Sequence, residues 1–401
     1  MAAAGVPAAR AGAEMMTHTR PIWAEISRSR LVHNYRFLQR LAGAETELLA
    51  VVKADAYGHG LAGCAETLAA AGAGWFGVTS VEEAVAVRRI SPAARILAMS
   101  GCWRGEAEAA VEHRITLSVW DAAHLELVAE AATRRGLGAG AVAVHLEIDT
   151  GMSRQGVQPE RLAALLAGLG SGSTLRVEAA MTHFHSPEDA HATGEQIRRL
   201  GEALEMLAAH DIRPKIVSAG SSADLLALST TAVTELAREY GARRMFRAGL
   251  ALYGYSPLAE AHPDLQPVLA WKTRIVSLRE IPAGAVAGYG GTFRAERPTR
   301  LALLAVGYAD GLSRGLSGRG RALVRGVAAR MAGRISMDQT MIDVTGIPGV
   351  SVGDEVALIG EQGSGEHAER VTAAEIAVAT GTIAYEVLCG ITARVPRIVM
   401  D

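Results

Sequence analysis

The stretch ELLAVVKADAYG, residues 47–58, sets the pattern on which the fold prediction rests. It begins as a short apolar run, becomes polar at Lys53 and leads into a segment with helical spacing. A near-continuous apolar run is typical of a strand that is buried on both faces, as strands are in parallel sheets. The polar residues at its end therefore mark a candidate position for chemistry.

Seven further runs of this kind follow before residue 256, separated by segments such as EEAVAVRRI (82–90) and EQIRRLGEALEMLAAH (195–210) that have helical spacing. The runs are GWFGVTS (74–80), ARILAMS (94–100), TLSVW (116–120), AVAVHLEIDTG (141–151), RVEAAMTHF (176–184), KIVSAG (215–220) and MFRAGLALYG (245–254). Eight alternating units predict an α/β fold of the (β/α)8 barrel type. A doubly wound open sheet is the rival, but it does not usually run to eight uninterrupted repeats.

The sequence on either side of the repeats divides the chain into three parts. Residues 1–20 are expected to form a disordered N-terminal extension, and they lack the features of a secretory signal. The true start of the protein could be Met1, Met15 or Met16. Residues 21–256 form the predicted barrel domain. From 257 to 401, strand-like pieces such as WKTRIVSLREI (271–281) and DEVALIG (354–360) are set off by Gly, Pro and Asp. Helical patterning returns there only in AAEIAVATG (373–381), which predicts a mainly β C-terminal domain.

Composition excludes several classes of protein. Hydrophobic residues make up 49% of the chain and charged residues 20%, which supports a large core. The formal net charge of −2 offers no basic field for nucleic acid or a membrane surface, and no run is long enough to span a bilayer. The three cysteines fit reduced thiols that pack in a cytoplasmic protein. No metal site is expected.

Unusually polar residues stand where the eight runs end. They are Lys53, Tyr57, Glu147, Asp149, Arg154, His183, Ser221 and Arg247. A single lysine at a strand end is usually solvated. However, a lysine among apolar residues has a lowered pKa and readily forms a Schiff base, and the glycines after Lys53 allow the backbone to approach a cofactor.

AVVKADAYGHG (50–60) resembles the cofactor-lysine motif of bacterial alanine racemases, which are fold-type III pyridoxal-phosphate (PLP) enzymes. Further motifs similar to that family follow in order: EIDTGMSRQG (147–156), MTHF (181–184), FRAGLALYG (246–254), GYGGTF (288–293), VGYADG (306–311), GRISMDQTMIDV (333–344), and TIAYEV (382–387) with RVPRI (394–398). The lysine motif alone is moderately specific, whereas the ordered set is strongly specific. The resemblance covers both predicted domains.

The resemblance implies racemisation of L- and D-alanine by two bases on opposite faces of the substrate. Lys53 would hold PLP and serve one face, and Tyr289 would serve the other. His183 and Arg247 are the candidates for the cationic neighbourhood that lowers the pKa of a tyrosine. Arg247 would also face the pyridine nitrogen of PLP, and since arginine only donates, that nitrogen must accept. A PLP ring with an unprotonated nitrogen is a weaker electron sink than a ring paired with a carboxylate, and this would limit transamination.

The resemblance also implies the binding residues. Tyr57, Ser221, Gly249, Leu250 and Tyr385 would bind the cofactor, whose phosphate site is expected after strands seven and eight. Arg154 and the Met337 backbone would meet the substrate carboxylate, and Tyr308 and Asp338 would line the entrance. Since the family's tyrosine and GRISMDQ segment come from a partner subunit, a head-to-tail homodimer is implied. The role implied is cytoplasmic supply of D-alanine for peptidoglycan.

Three departures from the family pattern lie near the substrate, and one of them is HSPED (185–189), which follows MTHF where a run of small residues is more usual. Glu147 occupies the place of a lysine that is carbamylated in many relatives, and we expect its carboxylate to orient Arg154. Because glutamate is shorter than a carbamylated lysine, the arginine must shift toward it or a water must bridge the gap. Ser336 stands where a cysteine is common. Racemisation of serine, or of a broader set of amino acids, therefore stays open as an alternative. A PLP-carrier barrel would lack the C-terminal domain, a decarboxylase would need a cysteine in another motif, and a sugar-phosphate enzyme leaves Lys53 unexplained.

Overall fold

The structure is a computed structural model that describes residues 19–170, 172–227, 231–365 and 368–401. The extension predicted at residues 1–20 lies outside the described residues as far as residue 18. Arg20, which that prediction includes, is fixed instead: its guanidinium donates to both carboxylate oxygens of Asp310, at 2.5 and 2.8 Å. Such a bidentate ion pair holds the chain where it enters the fold.

Eight parallel strands close into a barrel, which confirms the predicted fold class. After a first strand β1 (Ile22–Ser27), the barrel strands are β2 (Thr46–Val51), β3 (Trp75–Val78), β4 (Arg95–Ala98), β5 (Thr116–Val119), β6 (Val142–Glu147), β7 (Leu175–Met181), β8 (Ile216–Ser221) and β9 (Arg243–Ala248). Each overlaps one of the eight apolar runs. The barrel closes where β2 pairs with β9, with Thr46 opposite Arg244. Because helices cover its outer face, continuous apolar strands are needed rather than alternating ones.

Helices lie between these strands, and several of them begin at a polar residue whose side chain caps the helix. They are α1 (Arg28–Ala42), α2 (Lys53–Gly58), α3 (Leu61–Ala70), α4 (Val81–Ile90), α5 (Glu106–Glu112), α6 (Ala122–Arg134), α7 (Pro159–Leu166), α8 (Ala190–Ala209), α9 (Ser222–Leu226) and α10 (Thr231–Glu239). Ser80, for example, caps α4 in a reciprocal capping box with Glu83. Within the described ranges, no helix has the length and apolar character needed to cross a membrane.

The C-terminal half is mainly β, as expected. Its strands are β10 (Leu269–Ile281), β11 (Val286–Ala287), β12 (Phe293–Arg294), β13 (Thr299–Leu304), β14 (Arg321–Val324), β15 (Val327–Arg330), β16 (Thr340–Asp343), β17 (Glu355–Gln362), β18 (Glu369–Val371) and β19 (Arg397–Met400). Two helices, α11 (Ala373–Thr380) and α12 (Ala384–Cys389), lie between the last strands. The expectation of a single helical segment is wrong, since α12 is a second one.

The first strand, β1, pairs with strands of the C-terminal sheet, while the start of the barrel domain at residue 21 stays a prediction. β1 pairs antiparallel with β10, Ile22 opposite Thr273, and parallel with β19, Ala24 opposite Arg397. Its side chains alternate between buried and half-buried positions, as expected of a strand with one covered face. The beginning of the described chain therefore completes the C-terminal sheet. The division near residue 256 stays a proposal.

The cysteines differ from one another in exposure. Cys64 and Cys102 are buried, in agreement with packing roles, whereas Cys389 at the end of α12 is exposed. The expectation that all three pack in the interior is therefore wrong for Cys389.

Candidate active site

A cavity of about 450 Å³ lies where the barrel strands end. Ten residues singled out from the sequence line it together: Lys53, Tyr57, Glu147, Arg154, His183, Ser221, Arg247, Gly249, Leu250 and Tyr385. Nine come from strand ends or the loops after them, and Tyr385 comes from α12. The barrel end and one C-terminal helix thus bring cationic, hydroxyl and backbone groups into one cleft, as ligand sites in this fold require.

Lys53 begins an unusual turn. The next four residues, from Ala54 to Tyr57, all have φ between +53° and +55°, so the backbone winds left-handed without a glycine. Each such residue costs about 1–2 kcal/mol, so contacts elsewhere must hold the turn. The Ala54 amide donates to Glu83 Oε1 at 2.7 Å, and the Leu61 amide donates to the Asp55 carboxylate at 2.7 Å.

The Lys53 amine is poised for nucleophilic chemistry. Burial lowers its pKa below the ordinary value, and the nearby Arg154 guanidinium adds to the effect. An amine with a lowered pKa is more often neutral, and only the neutral amine attacks a carbonyl.

Arg247 and His183 form a fixed pair on the cavity wall. Arg247 Nη1 donates to Ser218 O (2.8 Å) and Oγ (2.9 Å), and Nη2 donates to Thr182 O (2.7 Å) and His183 Nδ1 (3.0 Å). Because arginine can only donate, Nδ1 accepts and the neutral imidazole carries its proton on Nε2. The Nη hydrogens are all engaged within the described chain, which leaves Nε–H for a ligand.

His183 differs from its expected role as part of a cationic neighbourhood. Burial and the positive charge of Arg247 lower its pKa to about 3. The ring is therefore neutral near pH 7, and the positive charge at this wall belongs to Arg247.

Small hydroxyl and backbone groups also line the cavity. The Gly249 amide donates to Ser222 Oγ at 2.9 Å, and the Ser221 hydroxyl donates to Asp224 Oδ2 at 2.9 Å. A Cβ added at Gly249 would lie 2.4 Å from Tyr57 Oη, so a glycine is needed there. An anion would compete with Ser222 for the Gly249 amide and with Asp224 for the Ser221 proton.

Glu147 forms no direct ion pair with Arg154, which was one of the two arrangements expected. Its Oε2 accepts instead from Ser118 Oγ (2.9 Å) and from Gln155 Nε2 (2.7 Å). Among the described residues, no ion pair joins Glu147 to an arginine within 4 Å. Burial raises the pKa of this carboxyl, although the two hydrogen bonds and nearby Arg247 oppose that rise.

Four residues expected at the site lie outside the cavity. Tyr289 is 70% exposed and sits between β11 and β12, in a turn whose Gly288 and Gly290 have positive φ. Met337 is 54% exposed, and Tyr308 is exposed as well. Asp338 is held by Arg394 at 2.7 Å. This chain alone therefore does not bring the second proposed base to Lys53.

Sequence reasoning missed Gln155 and Ser222, which line the cavity, and Ser118, which donates to the cavity residue Glu147. Ser222 directly follows the predicted Ser221, and Gln155 directly follows Arg154, so position beside a singled-out residue was an available signal. Ser118 lies inside the apolar run TLSVW, where one polar residue among buried neighbours indicates a buried partner.

Comparison with known proteins gives matches along both parts of the chain. The family descriptions "Alanine racemase, N-terminal domain" and "Alanine racemase, C-terminal domain" match residues 26–257 and 268–399. The chain is 40% identical to the alanine racemase of Sorangium cellulosum, with 94% of this chain and 98% of that protein covered. For the alanine racemase of Halothermothrix orenii the identity is 38%, with coverages of 94% and 97%.

Solved structures give the same result. The crystal structure of alanine racemase from D-cycloserine-producing Streptomyces lavendulae superposes with a TM-score of 0.85 at 32% identity, covering 95% of this chain and 97% of that one. Alanine racemase from Bacillus anthracis with bound L-Ala-P superposes with a TM-score of 0.83 at 29% identity, covering 95% of each chain. The chain belongs to the alanine racemase family.

Proposed function

We propose that this enzyme interconverts L- and D-alanine with PLP bound at Lys53, and with Lys53 and Tyr289 moving protons on opposite faces of the substrate. PLP, when bound, supplies an aldehyde for covalent attachment and an electron sink for the negative charge left by proton removal. The observation that carries the proposal is the position of Lys53. Of the three lysines in the sequence, it is the one that lines the cavity.

The other two lysines are unsuited to hold a cofactor aldehyde. Lys215 is exposed at the opposite end of its strand. Lys272 is held between Glu25 Oε2 at 2.9 Å and Glu355 Oε1 at 3.0 Å, which keeps it charged. Lys53 alone combines enclosure with a lowered pKa.

The remaining cavity groups suit the proposed cofactor. The free Arg247 Nε–H can donate to a ring nitrogen, which must then stay unprotonated. Burial raises the pKa of Tyr57 far above its ordinary value, so its hydroxyl remains a donor. The missing side chain at Gly249 leaves space in the cavity, and Ser221 and Ser222 beside it offer small hydrogen-bond donors of the kind a phosphate needs.

Alanine would be bound through its carboxylate. Arg154 lines the cavity and makes no hydrogen bond or ion pair within the described chain, so its guanidinium is available for a bidentate contact. Removing the α-proton needs a base on one face, and returning it on the other face needs an acid there. Lys53 would fill the first role.

The second role requires another copy of the chain. Tyr289 projects from a glycine-rich turn with most of its surface exposed, and Met337 is exposed too. We propose a head-to-tail homodimer in which Tyr289 and the Met337 backbone enter the cavity of the partner subunit, where Arg247 supplies positive charge. Family membership supports this arrangement, as it supports a cytoplasmic role in making D-alanine for peptidoglycan.

Reductive trapping tests the proposal. The protein is incubated with PLP and then with borohydride, digested, and searched by mass spectrometry for a pyridoxyl group, while racemisation of alanine and serine is assayed in parallel. The modification is expected on Lys53, with alanine turned over faster than serine. Modification of Lys215 or Lys272 in its place, or the absence of alanine racemisation, would overturn the proposal.

A further inference from the structure

The Gln155 side chain connects the loop that carries Arg154 to two fixed points on the barrel. Its Nε2 donates to Glu147 Oε2 at 2.7 Å, at the end of β6, and to Met99 O at 3.0 Å, just after β4. Both hydrogens of the amide nitrogen are used, and both acceptors belong to the barrel rather than to the loop.

The acceptor side of this bridge is itself held rigidly. Glu147 is 4% exposed, and the same oxygen that accepts from Gln155 also accepts from Ser118 Oγ at 2.9 Å. A buried carboxylate needs such donors, since burial otherwise disfavours its charged form. Glu147 is therefore a fixed anchor for Gln155.

The other side of Arg154 is fixed by a different residue. The Ser153 amide donates to Asp149 Oδ1 at 2.9 Å, and the Gly151 amide donates to the same oxygen at 3.0 Å. Ser153 has φ of +57°, and a Cβ at Gly156 would lie 2.7 Å from the Asp149 nitrogen, so the loop is folded tightly on its own start.

Arg154 stands between these two attachments without a side-chain partner of its own among the described residues. We infer that Gln155 is a positioning residue, which aims the neighbouring Arg154 into the cavity by tying the loop to Glu147 and Met99. The inference rests on the proposed role of Arg154 in binding the substrate carboxylate. Glu147 then acts on Arg154 through Gln155 rather than by a direct ion pair.

Substrate affinity is the property that this bridge controls. In a loop released from the barrel, Arg154 samples more orientations. Alanine binding must then order the Arg154 side chain, and the entropy lost in that ordering weakens binding. Turnover depends on other groups and changes less. A residue that serves only folding would instead lower the amount of active enzyme, which reduces kcat with KM unchanged.

The test compares Gln155→Leu with Gln158→Leu, the same substitution at an exposed glutamine three positions later. The holoenzymes are assayed in both directions after PLP content and thermal unfolding are measured. Gln155→Leu is expected to raise KM for alanine by about tenfold, the effect of one hydrogen bond to a charged group, with kcat changed by less than about threefold. Gln158→Leu is expected to leave both constants unchanged.

A second variant, Gln155→Glu, gives a pH profile. It places two carboxylates in contact, so both cannot be ionised cheaply. Its KM is expected to rise from pH 6 to pH 9 relative to wild type, whereas the rise for Gln155→Leu is constant. An unchanged KM for Gln155→Leu, or a Gln155→Glu profile parallel to wild type, overturns the inference. Neither result affects the proposed function, which fails only if wild type does not bind PLP at Lys53 or racemise alanine.

Discussion

The barrel end and the β11–β12 turn contribute to the proposed site in opposite ways. At the barrel end, Arg247 is 8% exposed and its Nη hydrogens are all engaged, while Gly249 and Ser222 are in contact. At the turn, Tyr289 is 70% exposed and no shared cavity joins it to Lys53. The barrel end has its cavity groups within a single chain, whereas the β11–β12 turn faces outward.

This difference separates two tasks. The groups proposed to hold the cofactor are fixed in advance by the barrel, which keeps their geometry rigid before any ligand arrives. Tyr289, which is exposed in one chain, is proposed to act in the cavity of a second chain. Substitutions in the barrel region should therefore change cofactor retention, whereas substitutions at the turn should change turnover alone.

The largest effect is expected for Lys53→Ala, which removes the proposed attachment point of the cofactor. Racemisation should fall by at least about a thousandfold, because covalent attachment and one proton-transferring group are lost together. Absorbance of the purified protein and alanine racemisation measure the two losses. Lys215→Ala, at an exposed lysine, is the matched control and should behave as wild type. Substantial racemisation by Lys53→Ala without added amines would contradict the assignment.

The next largest effect is expected for Tyr289→Phe, which removes one hydroxyl from the outward turn. Activity should fall by about 10²- to 10⁴-fold, the usual contribution of a positioned acid or base, with PLP content unchanged. Tyr240→Phe, at a tyrosine beyond α10 and outside the cavity, controls for loss of a phenol elsewhere. Equal activity of Tyr289→Phe and wild type would place the second base at another residue, and loss of PLP would remove the contrast between the regions.

A smaller effect is expected for Gly249→Ala in the barrel region. The new methyl group would lie 2.4 Å from Tyr57 Oη, so the ring or the loop must shift. Overpacking of this kind should weaken PLP binding by about ten- to a hundredfold, as measured by cofactor titration. Gly194→Ala, on α8 where a Cβ meets no atom within 4 Å, should leave PLP binding unchanged. Tight PLP binding by Gly249→Ala would show that the cofactor does not lie against Gly249.

Much of the barrel could be predicted because its strands are covered on both faces. Burial of both faces demands continuous apolar runs, and the polar residue that ends each run, such as Lys53 or His183, marks the cavity. The first strand escaped this reasoning because only its alternating pattern, IWAEIS, distinguishes it from barrel strands. That pattern belongs to a sheet with one covered face, and it pairs with β10 and β19.

Other features depend on contacts that local sequence does not encode. The left-handed turn from Ala54 to Tyr57 contains no glycine, so it is visible only once the Glu83 carboxylate is placed beside it. Glu147 was expected to attract the nearest arginine by charge. Two neutral donors, Ser118 and Gln155, hydrogen-bond to its oxygen instead. They lie beside Glu147 only in the closed barrel. Side-chain partners across strands need the three-dimensional register.

Complementation between two inactive chains tests the shared site most directly. Lys53→Ala and Tyr289→Phe chains, separately tagged, are mixed, allowed to exchange subunits, and purified through both tags. Each mixed dimer would contain one cavity with Lys53 from one chain and Tyr289 of the partner subunit. An equal, random mixture before purification should recover about a quarter of wild-type activity, and the purified mixed dimer about half. Mixed dimers that form and bind PLP but stay as inactive as their parents would contradict a site built from two chains.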